Sequence, residues 1–226
     1  MVDSAVLSRL GWPLPGHQAL AADLLARWSE PHRSYHDLRH LGECIEACEL
    51  LGGGRAEALG LWFHDAVHTG NPGPDEAASA ALADHLLTPR LSAPDVAEVV
   101  RLVLVTEHHV VPPHDHPAAI VSDADLWVLG ADAARYAESV ADLKAECGLG
   151  AQAWAVTRRG QLLRRLAAPI YATERGRLRE PAARRNLTAE LAGLPELPVP
   201  DKLPDMARVA LDMLRLSLDA RIQALA

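Results

Sequence analysis

Hydrophobic residues recur at helical spacing along most of the chain. One such stripe follows the i, i+3, i+4, i+7 pattern of an amphipathic helix and consists of Leu41, Cys44, Ile45, Cys48 and Leu51. The same spacing predicts further helices over 17–30, 56–67, 75–87, 94–108, 123–129, 132–147, 151–171, 181–191 and 204–226. Loops rich in Gly, Pro or His are predicted at 69–74 and 110–117. Paired strand segments joined by a turn are not visible, so the pattern predicts an all-α fold.

Length and composition predict one large helical domain followed by a separate C-terminal segment. Of the 226 residues, 49% are hydrophobic, which is enough for a substantial core. We expect the domain to span 1–192 and to be followed, at 193–226, by a proline-rich linker and an amphipathic helix. Two roles stay open for that helix, docking back on the domain and forming a homodimer.

Charge and cysteine content narrow the expected partners. The chain carries 30 acidic and 22 basic residues, a net charge of −8, which argues against a nucleic-acid polymer as partner. No apolar run approaches the ~20 residues that span a bilayer, and the N-terminus lacks a signal-peptide pattern. We therefore expect no membrane contact and a cytoplasmic location. Cys44 and Cys48 are expected to be buried core thiols, in keeping with a reducing compartment.

The dipeptide His64-Asp65 is the most informative chemical feature of the chain. It directly follows the apolar run 59–63, and a charge in such a setting is nearly always paired or bound to a metal. Other polar residues of the same kinds lie near the ends of predicted helices, namely His36, His40, His109, Asp123 and Asp125. Imidazole and carboxylate groups suit divalent Mn, Fe, Co, Ni or Zn. The sequence therefore predicts a metal site assembled from several helices.

Short motifs around these residues resemble those of one family. They are Arg33-Ser34-Tyr35-His36-Asp37-Leu38-Arg39-His40, Trp62-Phe63-His64-Asp65-Ala66-Val67, Asp75-Glu76-Ala77-Ala78-Ser79-Ala80, Thr106-Glu107-His108-His109 and Asp123-Ala124-Asp125-Leu126. Together they resemble the HD superfamily of metal-dependent phosphohydrolases, and most specifically its branch of predicted metal-dependent HD phosphohydrolases, over residues 10–192. The chain departs from that branch at His68 and at Cys147, where tyrosine is usual in both cases.

The resemblance implies a single HD-domain helical bundle with additional C-terminal helices and a bound divalent metal, which would be Mn, Fe, Co, Ni, Zn or Mg. The implied metal ligands are His40, His64, Asp65 and Asp125, with Asp123 as the alternative to Asp125. The aspartate that is not a ligand would then orient a ligand histidine by a hydrogen bond.

The resemblance also implies roles for residues around the metal. Catalytic roles are expected for Asp65, His36 and Glu76. For Glu76, the alternative is a carboxylate that only stabilises a helix N-terminus, and for His36 it is a structural histidine. Substrate contacts are expected from Arg33, Arg39, His68 and His109, with solvation as the alternative for Arg39. Solvated positions are predicted for His108, His114, His116 and the arginine pairs 158–159 and 164–165.

The activity that follows from the resemblance is hydrolysis of a phosphate ester by metal-activated water. The expected substrate is a small phosphorylated metabolite, with a nucleotide as first choice. Two alternatives stay open. One is a di-iron oxygenase, for which His36, His68 and His109 would supply the additional ligands. The other is a non-catalytic module that binds a nucleotide.

Overall fold

The computed structural model describes residues 10–196, and every regular element in that range is helical. The helices are α1 (Gln18–Trp28), α2 (Leu38–Leu51), α3 (Arg55–Phe63), α4 (Pro74–Leu87), α5 (Ala93–Val105), α6 (His116–Asp125), a 3₁₀ helix (Leu126–Gly130), α7 (Ala133–Cys147), α8 (Ala151–Leu166), α9 (Glu174–Arg177) and α10 (Glu180–Gly193). The predicted all-α class is confirmed. The predicted helix over 204–226 lies outside the described residues. No helix within 10–196 has both the length and the apolar character needed to cross a bilayer.

Helix ends differ from the predicted ones where local hydrogen bonds override the hydrophobic pattern. α3 ends at Phe63, four residues before the predicted end at 67, so the His64-Asp65 pair follows the helix rather than lying within it. The helix predicted over 123–129 is wrong in its bounds, since α6 begins at His116. The Asp115 carboxylate accepts a hydrogen bond from the Ala118 backbone and so caps the start of α6. Asp115 lies within 110–117, which was predicted to be a loop.

The predicted helix over 151–171 is also shorter in the structure, where α8 ends at Leu166. Pro169 disfavours helical geometry at the residue before it, which explains the early end. The freed segment 167–173 runs back toward the end of α6, because the Asp123 carboxylate accepts hydrogen bonds from the backbone of Ala172 (2.8 Å) and Thr173 (2.8 Å). The chain between α8 and α9 is thereby fixed beside the residues that follow Asp123.

Two apolar clusters hold the helices together. The larger one is built mainly from α1 to α6, with Trp28 and Trp62 fully buried, and the Trp28 indole N–H donates to the Trp62 carbonyl (3.0 Å). The smaller one joins α7, α8 and α10 and includes Leu162, Leu166 and Tyr171. The partly buried side chain of Trp127 packs against both clusters. The end of α6 therefore lies where the two clusters meet.

We predict that Gly176→Ala destabilises this junction. A Cβ at position 176 would lie 2.2 Å from Asp123 Oδ2 and 2.9 Å from Thr173 Oγ1, and these groups are already committed to hydrogen bonds with each other. Overpacking of this kind costs about 1–3 kcal/mol of unfolding free energy. Chemical denaturation measures the loss.

The matched control is Gly193→Ala, at the last residue of α10, where an added Cβ meets no atom within 4 Å. Alanine has the higher helix propensity, so this variant should be as stable as the wild type or slightly more so. Equal stability of the two variants would contradict the assigned packing around Asp123.

Candidate metal centre

Four predicted ligands from three separate helices converge in the structure. His40 lies in the first turn of α2, His64 and Asp65 follow α3, and Asp125 is the last residue of α6. The Nε2 atoms of the two histidines are 3.3 Å apart. His64 Nε2 lies 2.9 Å from Asp65 Oδ2, and His40 Nε2 lies 3.1 Å from Asp125 Oδ1. This convergence of nitrogen and oxygen ligand atoms is the arrangement that the sequence predicted.

Local structure fixes the direction of both imidazoles. The Asp37 carboxylate caps α2 by accepting from the backbone N–H groups of Arg39 and His40, which sets where His40 enters the helix. The His64 Nδ1–H donates to the Leu61 carbonyl (2.7 Å). Because Nδ1 makes this hydrogen bond, Nε2 is the ring nitrogen that faces the cluster. A metal-binding histidine usually has its other ring N–H bonded to a carbonyl or carboxylate in this way.

The cluster is buried and its charges are coupled. The side chains of His40 and His64 are 2% and 1% exposed, and the carboxylates of Asp65 and Asp125 are 15% and 16% exposed. Burial alone would raise the pKa of both carboxyl groups, but the neighbouring His64 lowers the pKa of each. Burial lowers the pKa of His64, and Asp65 and Asp125 outweigh that effect and raise it well above its ordinary value.

This electrostatic balance fits a cation. The two carboxylates raise the pKa of His64, so the cluster favours an added positive charge. A divalent metal could supply that charge, since metal binding requires neutral imidazole and ionised carboxylate. The donor set of two imidazoles and two carboxylates matches Mn, Fe, Co, Ni or Zn, and suits Mg less because Mg prefers oxygen ligands alone.

Cys44 also reaches this cluster, which the sequence analysis missed by treating it as a core thiol only. It is buried as predicted, but its Sγ lies 3.7 Å from His40 Nε2, and the ligand atoms of His40, Cys44, His64 and Asp125 all lie within 4.8 Å of one another. The signal in the sequence is the i, i+4 spacing of His40 and Cys44. Burial, followed by the charges of Asp125 and Asp65, raises the pKa of the thiol well above its ordinary value. Only the thiolate binds metals, so the carboxylates are the favoured ligands.

Asp123 does not orient a ligand histidine, contrary to expectation. Its carboxylate accepts hydrogen bonds from Ala172 and Thr173, including the Thr173 hydroxyl (2.6 Å). It is fully buried, and burial raises the pKa of Asp123. Asp123 and Asp125 therefore have different roles: the first fixes the 172–173 segment, and the second faces the histidines.

A second group of candidate ligands lies beside the first. His36, Asp65 and His68 offer ligand atoms within 4.8 Å of one another, and the His36 and His68 ring centroids are 4.3 Å apart. Asp65 thus stands between the two groups.

Glu146 organises this second group, and sequence reasoning gave it no role. Its Oε2 accepts from the backbone N–H groups of Ser34, Tyr35 and His36 at 2.8–3.0 Å. Its Oε1 pairs with His36 Nδ1 and lies 3.0 Å from His68 Nε2. Burial would raise the pKa of Glu146, but the hydrogen bonds with these histidines lower it. The signal in the sequence was a carboxylate in the last turn of a helix, where the macrodipole disfavours it unless it is paired elsewhere.

Arg33 is not free to bind a substrate, which corrects its predicted role. Its side chain has no exposed surface. The guanidinium donates to the backbone carbonyls of His36 (3.0 Å) and Asp65 (2.7 Å) and forms two hydrogen bonds with Glu30. Arg33 therefore joins the segment before α2 to the segment after α3 and holds the two groups of ligands together.

Arg39 and Glu76 follow the alternatives left open for them rather than the functional roles. The Arg39 side chain is 51% exposed and pairs with Glu138 (2.7 Å), so it is a surface ion pair. The Glu76 carboxylate accepts from the Gly73 backbone in a capping box at the start of α4. Within residues 10–196, neither side chain is bonded to a candidate ligand.

His109 does lie beside the cluster. Its Nε2 is 3.5 Å from Asp125 Oδ2 and its Nδ1 is 3.2 Å from the Ser122 hydroxyl. Burial lowers the pKa of His109 to about 4, against the opposing effect of Asp125. His109 is therefore neutral at physiological pH and can offer a lone pair. The neighbouring His108 is 73% exposed, as predicted.

Comparison with known proteins finds no protein family, curated protein or solved structure that matches this chain.

We predict that Asp125→Ala and Asp123→Ala separate metal binding from stability. Asp125→Ala removes a candidate ligand and should reduce bound Mn²⁺ by at least tenfold, because one lost ligand or supporting group typically costs 10–100-fold in metal affinity. Asp123→Ala removes the acceptor of one buried and one partly buried backbone donor, at Thr173 and Ala172, and should lower the free energy of unfolding by about 3 kcal/mol. Metal titration and chemical denaturation of both variants measure the two effects.

Cys44→Ser is the matched control for the metal titration, since it replaces a thiol beside His40 with a similarly small group. It should keep Mn²⁺ affinity within about threefold of wild type if Asp65 and Asp125 are the anionic ligands. Loss of metal in Cys44→Ser but not in Asp125→Ala would instead favour the thiolate.

Proposed function

We propose that this chain is a metal-dependent phosphohydrolase of the HD type, acting on a small phosphorylated metabolite with a nucleotide as the first class to test. The observation that carries the proposal is the convergence of His40, His64, Asp65 and Asp125 from three helices, in the order that the HD resemblance implies. Two imidazoles and two carboxylates that meet in a buried space supply the ligand atoms that a divalent metal takes in proteins.

His40, His64, Asp65 and Asp125 would hold the metal. When bound, a divalent metal lowers the pKa of water toward neutrality and withdraws charge from a phosphoryl group. The Trp28 ring lies close to both imidazoles, with centroids 5.3 Å from His64 and 6.3 Å from His40, and closes one side of the cluster against solvent. The carboxylates keep a small exposed fraction, which leaves a route for substrate from the Asp65 and Asp125 side.

His36 is the residue of this chain best suited to protonate the leaving oxygen. Burial lowers the pKa of His36, but Asp65 and Glu146 outweigh burial and raise it. The side chain is partly exposed, with 22% of its surface accessible, so the ring can meet a ligand. Its Nδ1–H is held by Glu146, so the proton available for transfer is the one on Nε2. The negative charge of Glu146 stabilises the imidazolium form of His36. In this proposal His36 takes the proton-transfer role that was expected for Glu76.

The test is phosphate release by purified protein loaded with Mn²⁺, Co²⁺ or Ni²⁺ and offered a panel of nucleoside mono-, di- and triphosphates. We expect release that depends on added metal. His36→Gln should reduce kcat by about 10²–10⁴-fold with metal content unchanged, since this is the usual contribution of a general acid.

His64→Ala supplies the metal-free baseline, and Arg39→Gln supplies a matched surface control that should retain full activity. Circular dichroism confirms that each variant is folded. Phosphate release by wild-type protein that does not exceed the His64→Ala baseline, in protein verified to contain metal, would contradict the proposal. Tight nucleotide binding without turnover in that protein would favour a non-catalytic binding module.

A di-iron oxygenase is the second candidate function, and the observation favouring it is the second group of ligands. His36 and His68 stand next to Asp65, which could serve both groups. This candidate predicts about two Fe per chain after expression in iron-rich medium and oxygen consumption with a suitable substrate, whereas the phosphohydrolase needs only one bound metal. Metal analysis of wild-type and His68→Phe protein distinguishes the two candidates. The oxygenase predicts that the variant binds one ion fewer than wild type, whereas the phosphohydrolase predicts the same metal content in both.

A further inference from the structure

Cys44 lies at the candidate metal centre but takes no part in the function proposed above. It follows His40 by one turn on the buried side of α2, and it is 1% exposed. Its Sγ belongs with His40, His64 and Asp125 to a group whose ligand atoms all lie within 4.8 Å of one another, whereas Asp65 belongs to the second group. A sulfur ligand atom is thus available at the place where the ends of α2, α3 and α6 meet.

The spacing of these ligand atoms fits a four-coordinate zinc ion. Zinc–ligand bonds of about 2.0–2.3 Å at tetrahedral angles place two nitrogen or oxygen atoms about 3.3 Å apart, and nitrogen and sulfur about 3.6 Å apart. The Nε2 atoms of His40 and His64 are 3.3 Å apart, and Asp125 Oδ1 lies 3.1 Å from the first and 3.5 Å from the second. Cys44 Sγ lies 3.7 Å from His40 Nε2. These separations are already close to the edges of a zinc tetrahedron.

The remaining two edges run from Cys44 Sγ to the ligand atoms of His64 and Asp125. Both are within 4.8 Å, so closing the tetrahedron requires a movement of only about 1 Å at the sulfur. Such a movement is within reach of a side-chain rotation, and the backbone of α2 can stay where it is. Cys44 can therefore complete a site that the other three residues begin.

Asp65 offers an alternative fourth ligand. Its Oδ2 lies 2.9 Å from His64 Nε2 and 3.7 Å from His40 Nε2, so it borders the same two imidazoles. The two candidates differ in chemistry, because a carboxylate oxygen is a hard donor and a thiolate sulfur is a soft one. Mn²⁺ favours oxygen ligands, whereas zinc binds thiolate readily. The histidine pair is thus bordered by one hard and one soft partner.

We propose that Cys44 makes this centre discriminate between metals. Cys44 completes a closed, four-coordinate site around Zn²⁺, whereas Asp65 completes the site around Mn²⁺ and leaves positions open for water and substrate. In both cases the other three ligands are His40, His64 and Asp125. This choice of ligand depends on the candidate metal centre alone. Its consequence, that Zn²⁺ inhibits the enzyme, rests on the proposed phosphohydrolase function.

The binding step at Cys44 exchanges a proton for a metal. The zinc–sulfur bond forms, the S–H bond breaks and the proton goes to solvent, since a thiol that binds a metal is deprotonated. Zinc offsets the cost of losing that proton because its bond to sulfur is strong. Mn²⁺ binds sulfur weakly, so the thiol keeps its proton and the carboxylate of Asp65 is used instead.

The experiment measures Zn²⁺ and Mn²⁺ affinities by chelator competition, with full-length wild-type, Cys44→Ser and Asp65→Asn protein. Cys44→Ser should weaken Zn²⁺ binding at least tenfold and leave Mn²⁺ binding within about threefold, because only the zinc site loses a ligand. Asp65→Asn should show the reverse, with Mn²⁺ weakened at least tenfold and Zn²⁺ nearly unchanged. A general disturbance of the cluster would weaken both metals in the same variant.

Cys48→Ser is the matched control. Cys48 lies one turn further along α2, is 2% exposed and belongs to neither group of candidate ligands, so its variant should bind both metals like wild type. Cys44→Ala repeats the zinc measurement without a hydroxyl that could itself bind the ion. Circular dichroism and the unfolding temperature of each metal-free variant show that it is folded.

Cadmium supplies a spectroscopic readout that packing cannot imitate. Cd²⁺ is a softer ion than Zn²⁺, and a cadmium–thiolate bond gives a charge-transfer absorption band in the ultraviolet. Wild type and Cys48→Ser should show this band on Cd²⁺ addition, and Cys44→Ser and Cys44→Ala should not. A Cys44 that only fills space in α2 would give no band in any of the four proteins.

The role of Cys44 and the proposed function can fail separately. Unchanged Zn²⁺ affinity in Cys44→Ser, equal losses of both metals, or no cadmium band in wild type would overturn the role of Cys44, and Mn²⁺-dependent phosphate release would still stand. A zinc site that requires Cys44, in protein that hydrolyses no nucleotide, would support metal discrimination and contradict the phosphohydrolase. If both hold, Zn²⁺ should inhibit wild type and be at least tenfold less potent against Cys44→Ser.

Discussion

Two imidazoles and two carboxylates share a buried space in which none of them is stable alone. His40 and His64 are almost completely enclosed, and the contacts of their Nε2 atoms with Asp65 and Asp125 offset part of the cost of removing these groups from water. The contributing residues lie in α2, directly after α3 and at the end of α6, so the packing of these helices has to keep the partners together. The packing of the larger apolar cluster and the pairing of these four side chains therefore depend on the same arrangement of helices.

Several polar side chains hold that arrangement without entering it. Arg33 binds the backbone carbonyls on either side of the cluster, at His36 and Asp65, and Glu146 binds three successive N–H groups before α2. Such contacts satisfy backbone groups that no helix can satisfy, because these segments lie outside the regular elements. Residues in motifs that resemble a functional signature can thus be required for position rather than for chemistry.

The sequence predicted the helical class, because apolar periodicity is a local signal. It also predicted that histidines and aspartates near several helix ends would meet, because a charge beside an apolar run is costly unless it is paired. It was insufficient where a residue's role depends on a distant partner. Arg33 and Glu76 carry the right chemistry for a site, but one is enclosed by backbone carbonyls and the other closes a capping box. Glu146 and Cys44 reach the two groups of candidate ligands only through the packing of α7 and α2, which periodicity does not specify.

The balance of charge around the centre also implies an order of binding. Without a metal, Asp65 and Asp125 place two negative charges in the cluster and would repel a phosphate. A divalent ion would offset those carboxylates, and it would bind His40 and His64 as neutral imidazoles. The same surface would then attract an anion, because the positive charge of the metal is no longer outweighed by the two carboxylates. A phosphate group would therefore bind only after the cation has bound.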